Sequence, residues 1–223
     1  MRLKLPFWMN DDSNFLYVDW GDGTCAKFDQ SGEVIHEYKS KGMYTVRVIG
    51  KAHGLGGDSD RMSDPPISDP NALNYRTTLY EVIELGDLGW GNLSRTFSNT
   101  YGLRKFHAKY SDTSMVNVFG NMFSNTKLKR IDLSHFNFES LGVKPLDLAD
   151  VVINMFGGTS YLEELILPKT NNTVNDIFAP YSLEFLIPNS RLNESNLSNI
   201  LNCGADKIRV SSGDEYLGAS AIA

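Results

Sequence analysis

Apolar residues in the second half of the chain follow a pattern that occurs four times. Each copy has a Phe, a short turn of Ser, Asn, Gly, Thr or Pro, and then Leu-x-x-apolar, usually with another apolar residue two positions on. The best-formed copy is 121–136, a similar one is 154–167, and weaker copies lie at 96–108 and 177–188. Such repetition predicts stacked units, because no unit this short buries its apolar face alone.

The repeated positions form two columns. Successive phenylalanines are separated by 26, 33 and 22 residues, whereas the distance from Phe to the first Leu stays at 5 or 6. The last two apolar positions of Leu-x-x-Leu-x-Leu lie two apart, so they point to one face of a short strand, and the Phe would close the opposite wall. We interpret residues 139–148 as an insertion on one side of the stack. The column residues are Phe97, Leu103, Phe123, Leu128, Ile131, Leu133, Phe156, Leu162, Leu165, Leu167, Phe178 and Leu183.

The first 50 residues have the period of β-strands. Residues 15–20 are rich in strand-forming side chains and run into a Gly-Asp-Gly-Thr turn, where glycine accepts a positive φ at low cost. Further strands are predicted at 25–28 and at 43–49, where apolar and polar residues alternate.

The segment 51–78 breaks this pattern. It is dominated by Gly, Pro, Asp and Ser, a composition that predicts a functional loop or a linker. Asp58, Asp60, Asp64 and Asp69 suggest a calcium loop, since Ca²⁺ takes several oxygen ligands. The spacing of an EF-hand is missing, however, and a solvated acidic loop is the favoured interpretation.

The last segment, 191–223, changes character again. Leu197, Ile200 and Leu201 form an apolar stripe that predicts a helix over 193–204, followed by a strand at 207–210 and a tail. We interpret the helix and strand as a cap on the last repeat. The predicted fold is therefore mainly β with short helices, in four parts: a β-sheet module (1–50), a loop or linker (51–78), the repeats (79–190) and a C-terminal helix-strand cap with a tail (191–223).

Three separated blocks near the N-terminus resemble the β module of the polycystic-kidney-disease (PKD) type. They are a Trp-Gly-Asp-Gly turn, a His-x-Tyr pair and a Gly-x-Tyr-Thr-Val strand, in that order. The resemblance covers about a quarter of the chain and implies either a complete sandwich or a small sheet docked on its neighbour. The residues that carry it are Asp19, Trp20, Gly21, Asp22, Gly23, His36, Tyr38, Gly42, Tyr44, Thr45 and Val46.

The repeats resemble the BspA-type leucine-rich repeat family, whose units read Met-Phe-Ser, a short turn, and Leu-x-x-Leu-Asp-Leu-Ser. The best match begins at Met122 and continues to Phe136. In that family a PKD-like piece often precedes the repeats through a Val-Ile-x-Trp/Leu-Gly-x-Leu segment, and 82–88 matches it here. The resemblance implies a short irregular solenoid in a surface protein. Most such proteins are bacterial adhesins, and similar modules occur in phage genomes.

Composition narrows the function classes. The 223 residues are 41% hydrophobic and 22% charged, which is ordinary for a globular protein with a real core. The net charge of -6 disfavours nucleic acid as a partner, because phosphate contacts need a basic face. No apolar run approaches the roughly 20 residues that cross a bilayer. Cys25 and Cys203 are too few for a disulfide scaffold and are interpreted as unpaired structural thiols.

The sequence contains none of the common catalytic motifs. The sequence lacks a nucleophile elbow, a phosphate loop, His-Glu-x-x-His and a dinucleotide fingerprint, so we expect no enzyme, no cofactor and no metal. His107 and His135 follow strands of different units, and stacking could bring them together as a metal or acid–base pair, although scattered histidines are the favoured interpretation. Candidate binding aromatics are Trp8, Trp90, Tyr110 and Tyr161, with core packing favoured for each.

The sequence therefore predicts a non-catalytic binding or structural protein displayed on an outer surface. The chain passes from Met1 almost directly into the β module without a signal peptide, which favours a virion component, such as a capsid decoration or tail protein, if Met1 is native. The alternatives are a bacterial cell-surface adhesin and an accessory module of a secreted hydrolase. Expected partners are capsid, tail or host-surface proteins, or surface glycans, at the virion surface or outside the cell.

Overall fold

The computed structural model describes residues 1–9, 14–56, 73–141, 154–168, 210–212 and 215–217. Within these ranges the fold is mainly β, as predicted, and helix is limited to single turns. In chain order the elements are β1 (Arg2–Trp8), β2 (Leu16–Asp19), β3 (Cys25–Phe28), β4 (Gly32–Glu37), β5 (Arg47–Gly50), β6 (Gly54–Leu55), β7 (Leu73–Asn74), α1 (Tyr75–Thr78), β8 (Glu81–Val82), β9 (Lys105–Phe106), β10 (Arg130–Asp132), a 3₁₀ turn (Glu139–Leu141), β11 (Glu164–Ile166), β12 (Val210–Ser212) and β13 (Glu215–Leu217).

Two small sheets form the N-terminal part. One has the order β4-β1-β6, with β7 parallel to β1, and the other has the order β3-β2-β5. Leu16 and Val18 on β2 are fully buried and Tyr17 between them is exposed, the alternation expected of a half-buried strand. The strand predicted at 43–49 is shorter, at β5, because Tyr44 leaves the ladder to stack its ring on Tyr38.

Pattern analysis missed β1. Its residues from Leu3 to Phe7 are all buried, so the alternation that marks a half-buried strand is absent. Lys4 is only 7% exposed, and its ammonium lies 2.8 Å from a carboxylate oxygen of Glu33 on β4. A buried charge needs such a partner, and this ion pair joins the two strands of the ladder.

Three of the repeated units are stacked in register. The ring of Phe123 is parallel to its neighbours, with ring centroids 5.7 Å from Phe97 and 5.9 Å from Phe156. Backbone N–H groups of one unit donate to carbonyls of the next, as from Phe123 to Met155 at 2.8 Å. On the other wall the strands run parallel, β8 with β9 and β10 with β11. Leu103, Leu128 and Leu162 are completely buried between the walls.

Two backbone positions in each of the three described units are left-handed. They lie two residues before and two residues after the Phe, and asparagine holds four of the six because it tolerates this conformation. At the second position Asn125 donates its amide to Asn99 at 3.0 Å. A Cβ at Gly158, the next residue in this column, would lie 2.1 Å from the Asn125 amide oxygen, so a larger residue there would displace the Asn125 side chain. The six residues are Arg95, Asn99, Asn121, Asn125, Asn154 and Gly158.

The first stacked unit is covered by α1. In later units the carbonyl before the Phe accepts a backbone N–H from the unit in front, as Met122 does from Phe97. The equivalent carbonyl of Thr96 instead accepts the hydroxyl of Tyr75, and the Arg76 guanidinium donates to the carbonyl of Arg95 at 2.8 Å. Side chains of α1 thus take the place of a preceding repeat and close this end of the stack.

Tyr75→Phe tests this covering role. The substitution leaves the buried Thr96 carbonyl without its donor, which we expect to lower the free energy of unfolding by about 1–3 kcal/mol. Tyr80→Phe is a matched control, since the Tyr80 ring is 42% exposed and its change should stay within about 0.5 kcal/mol. Urea unfolding curves of the two variants make the comparison, and equal midpoints would contradict the role of Tyr75.

Several predicted elements differ from the structure or lie outside it. The segment 51–78 was predicted as a loop or linker, yet its ends form β6 and β7, which pair with β1, and the helical turn α1. The prediction of an unstructured tail was also wrong in part, since β12 and β13 pair antiparallel. Predictions that lie outside the described residues are the calcium loop at Asp58, Asp60, Asp64 and Asp69, the fourth unit with Phe178 and Leu183, the helix at 193–204, Cys203, and the insertion beyond its 3₁₀ turn.

Candidate interaction surface

The residues of the PKD-like pattern meet in one cluster. The ring of His36 stacks on Trp20 at 4.6 Å and meets the edge of Tyr38, whose other face stacks on Tyr44 at 4.1 Å. The Tyr38 hydroxyl donates to the carbonyl of Trp20 at 3.0 Å. These contacts join the turn after β2 to β4 and to the segment before β5.

Asp22 fixes the turn itself. One of its oxygens accepts the backbone N–H and the hydroxyl of Thr24, and the other lies 2.8 Å from Nε2 of His36. These hydrogen bonds, those from Thr24 first, lower the pKa of Asp22 to about 2. Both carboxylate oxygens of Asp22 are thus occupied by contacts within the chain. We therefore assign Asp22 and His36 a structural role rather than a catalytic one.

Two buried tyrosines make stability depend on alkaline pH. Burial raises the pKa of Tyr38 to about 12, and burial likewise raises that of Tyr75 to about 12. Because the folded pKa lies above the ordinary value of 10, their contribution is complete below pH 10 and is lost as pH rises toward 12. We expect the melting temperature to fall by several degrees over this interval, and Tyr75→Phe to reduce the fall. A flat profile from pH 9 to 12 would contradict the burial of both phenols.

The second candidate surface is the outward side of the strand wall, which we call the strand face. Four successive strand segments form its rows, and their side chains are exposed or half-buried. Backbone bonds set the register: Arg104 donates its N–H to the carbonyl of Tyr80, and Glu163 donates to that of Lys129. Row one holds Tyr80, Glu81 and Ile83; row two, Arg104, Lys105 and His107; row three, Lys129, Arg130 and Asp132; row four, Glu163, Glu164 and Ile166.

Ion pairs connect the first two rows. A carboxylate oxygen of Glu81 lies 3.0 Å from Nε2 of His107, and the other lies 3.7 Å from the ammonium of Lys105. The Arg104 guanidinium donates instead to the backbone carbonyls of Tyr101 and Leu103. Within the described ranges Arg104 therefore has no carboxylate partner, and its charge faces outward.

Ion pairs also connect the last two rows. Lys129 lies 3.0 Å from Glu163, and Arg130 bonds both Asp132, at 3.0 Å, and Glu164. Burial raises the pKa of Asp132, but hydrogen bonds from Ser134 and Arg130 outweigh this and leave it below its ordinary value. Asp132 therefore stays ionised near neutral pH and keeps its ion pair with Arg130.

No family model, curated protein or solved structure matches the chain. The likeness to PKD-type modules and to BspA-type repeats thus remains a prediction from motifs. In the ranges that the structure describes, no helix is long and apolar enough to span a bilayer.

The predicted binding aromatics divide into two groups. Trp90 is buried, and its indole N–H donates to the carbonyl of Leu85; Trp8 is half-buried. Tyr110 and Tyr161 are exposed to 76% and 42%, and each has a lysine ammonium within 6 Å of its ring centre. Core packing therefore applies to Trp90, whereas Tyr110 and Tyr161 lie at the surface.

His107 was considered as a possible partner of His135. In the structure the His107 ring pairs with Glu81 instead. His135 is exposed on another unit. Among the described residues, no three potential ligands from His, Cys, Asp and Glu lie close enough together to hold a metal ion. Cys25 is an exposed free thiol on β3.

A shallow depression lies where the N-terminal sheets meet the stack. Its walls include Trp8, His53, Asn92 and Ser94, and its volume of about 10 Å³ holds roughly one water molecule. The carbonyl of His53 accepts the N–H groups of Gly91 and Asn92, and burial lowers the pKa of the His53 ring. This junction is a packing contact, and it is too small to be a ligand pocket.

Sequence reasoning missed the charged rows of the strand face. Each basic pair occupies the two positions after the first Leu of its unit, as in Arg104-Lys105 and Lys129-Arg130. A comparison of equivalent positions between units, instead of along one unit, would have shown the clustering of charge.

Proposed function

We propose that the chain is a non-catalytic binding or structural module displayed on an outer surface. In this proposal the two N-terminal sheets are a PKD-like module, and the stacked units are a short, irregular leucine-rich-repeat solenoid of BspA type with a C-terminal helical cap. Support comes from the meeting of the PKD-like residues around Trp20 and from the in-register stack of Phe97, Phe123 and Phe156.

The strand face is the observation on which this proposal depends most. Its side chains project from short parallel strands whose backbone is fixed by the buried leucines beneath, and rigid elements position binding groups more accurately than loops do. A face of this kind presents the same positions repeatedly, so recognition can extend over several units. Partners proposed for it are capsid, tail or host-surface proteins, or surface glycans.

Within this function, we favour a virion component such as a capsid decoration or tail protein. The support is the resemblance to modules of surface-displayed proteins. A bacterial cell-surface adhesin is the second candidate, and an accessory module of a secreted hydrolase is the third.

Localisation tests this function. Gold-labelled antibodies against the purified protein should decorate intact virus particles or, for the adhesin, intact cells. Labelling that requires broken cells, with no signal on particles or cell surfaces, would contradict outer-surface display. The non-catalytic part is tested by assays of glycosidase, protease and esterase turnover; a measurable kcat abolished by one point substitution would refute it.

A further inference from the structure

Charge on the strand face is ordered by row. The first row is acidic through Glu81, the next two rows are net basic although row three also contains Asp132, and the fourth is acidic through Glu163 and Glu164. The basic residues are Arg104, Lys105, Lys129 and Arg130, which is unexpected in a chain whose net charge is -6. The order is therefore acidic, basic, basic, acidic.

Stability alone does not account for this order. Like charges on neighbouring strands are unfavourable, and alternating signs would give each basic row an acidic neighbour on both sides. Arg104 has no carboxylate partner among the described residues, and the side chains of Lys105, Lys129 and Arg130 are exposed to 51%, 69% and 52%. Four accessible cations are thus concentrated at the centre of the face.

The acidic borders limit which partners fit. Neighbouring strands lie about 4.8 Å apart, so two basic rows make a positive strip roughly 10 Å wide. A uniform polyanion, such as nucleic acid, an acidic polysaccharide or an anionic membrane, would extend over Glu81 on one side and Glu163 on the other. Its outer charges would be repelled there, so the face does not suit a uniform polyanion.

Symmetry makes one contact unfavourable, the pairing of two copies of this face with all four rows in register. The order of charges is the same in both directions along the stack. Two copies related by a two-fold axis therefore place acidic rows on acidic rows and basic rows on basic rows, whether the stacks run in the same or in opposite directions. Such a contact is repulsive at every row, so this face does not pair with itself in register.

We propose that the strand face docks a different protein, one that presents a cluster of carboxylates bordered by basic side chains. This proposal rests on the proposed binding function and names its partner class. Carboxylates of the partner pair with the central cations, Arg104 first, because no acid among the described residues engages its guanidinium. The basic border of the partner then meets the acidic outer rows.

Two peptides of identical composition test the order of charges. The first probe is fluorescein-labelled Lys-Lys-Gly-Glu-Glu-Glu-Glu-Gly-Lys-Lys, and the second has every Lys and Glu exchanged. We expect fluorescence anisotropy at low salt to show the first binding about tenfold or more tightly than the second, with affinity falling as salt is raised. Equal affinities, or tighter binding of polyglutamate, single-stranded DNA or anionic vesicles, would overturn the proposal.

Charge-reversed variants locate the binding. Lys105→Glu with Arg130→Glu should weaken the first peptide about tenfold. Lys39→Glu with Lys41→Glu, at exposed positions of the N-terminal part, changes the net charge equally and should have no effect. Arg104→Gln, which breaks no ion pair among the described residues, should also weaken binding, and an unchanged melting temperature would show that the variant remains folded.

Equal behaviour of the two double variants would overturn the proposal. The peptide assay is independent of where the protein is displayed. A failed localisation experiment therefore counts against the proposed function, while a failed peptide experiment counts against the partner class.

Discussion

Leu165→Asp is expected to lower the free energy of unfolding by roughly 4 kcal/mol or more. Leu165 is the central residue of β11, is 1% exposed, and pairs in the ladder with Ile131. The substitution removes a buried apolar side chain and places a carboxylate where the walls of the stack leave no water. Urea denaturation followed by circular dichroism measures the change.

The control for this substitution is two residues away. Glu163→Ala removes a side chain that is 58% exposed and whose ion pair with Lys129 lies on the surface. Such pairs contribute about 0–1 kcal/mol, so this variant should unfold close to the wild-type midpoint. Similar losses in the two variants would show that the strand does not face the core as described.

The second large effect is expected at Gly21. Its φ is +74°, and a Cβ added there would lie 2.6 Å from the carbonyl oxygen and 3.0 Å from the nitrogen of Thr45. Neither atom can move without displacing the backbone that leads into β5. Gly21→Ala should therefore cost about 3 kcal/mol or more, since backbone strain and steric overlap add.

Gly23 provides the matched comparison within the same turn. Its φ is +87°, but nothing lies within 4 Å of an added Cβ. Gly23→Ala should thus cost only the strain of the left-handed backbone, about 1–2 kcal/mol. Thermal unfolding of both variants separates the two causes. A cost at Gly23 equal to that at Gly21 would mean that the close approach to Thr45 is unimportant.

The columns of the stack could be predicted from sequence because every unit needs them. Phe97, Phe123 and Phe156 occupy equivalent positions, and a fixed spacing to the first Leu survives changes in the connections. The PKD-like residues could likewise be predicted from sequence. Gly21 is needed for the positive φ of the turn, and Trp20 is a large apolar side chain of the core.

Other features depend on contacts that no local pattern contains. Strand β1 lacked alternation because its neighbours bury both sides, and Tyr75 matters only because the stack ends beside it. The pairing of Arg130 with Glu164 requires the register between two units, since these residues lie 34 positions apart in the chain. Such contacts depend on the assembled fold, so the ion pairs between rows of the strand face emerged only from the structure.

The in-register stacking of the units is the central claim, and an engineered disulfide tests it most directly. The hydroxyl oxygens of Ser98 and Ser124 lie 2.8 Å apart in neighbouring units. Ser98→Cys with Ser124→Cys, in a background where Cys25 and Cys203 are replaced by Ser, places two thiols near bonding distance. Mass spectrometry after air oxidation should find this bond formed rapidly in buffer and much more slowly in 8 M urea (about the concentration that unfolds most domains). Oxidation no faster in buffer than in urea would contradict the stack.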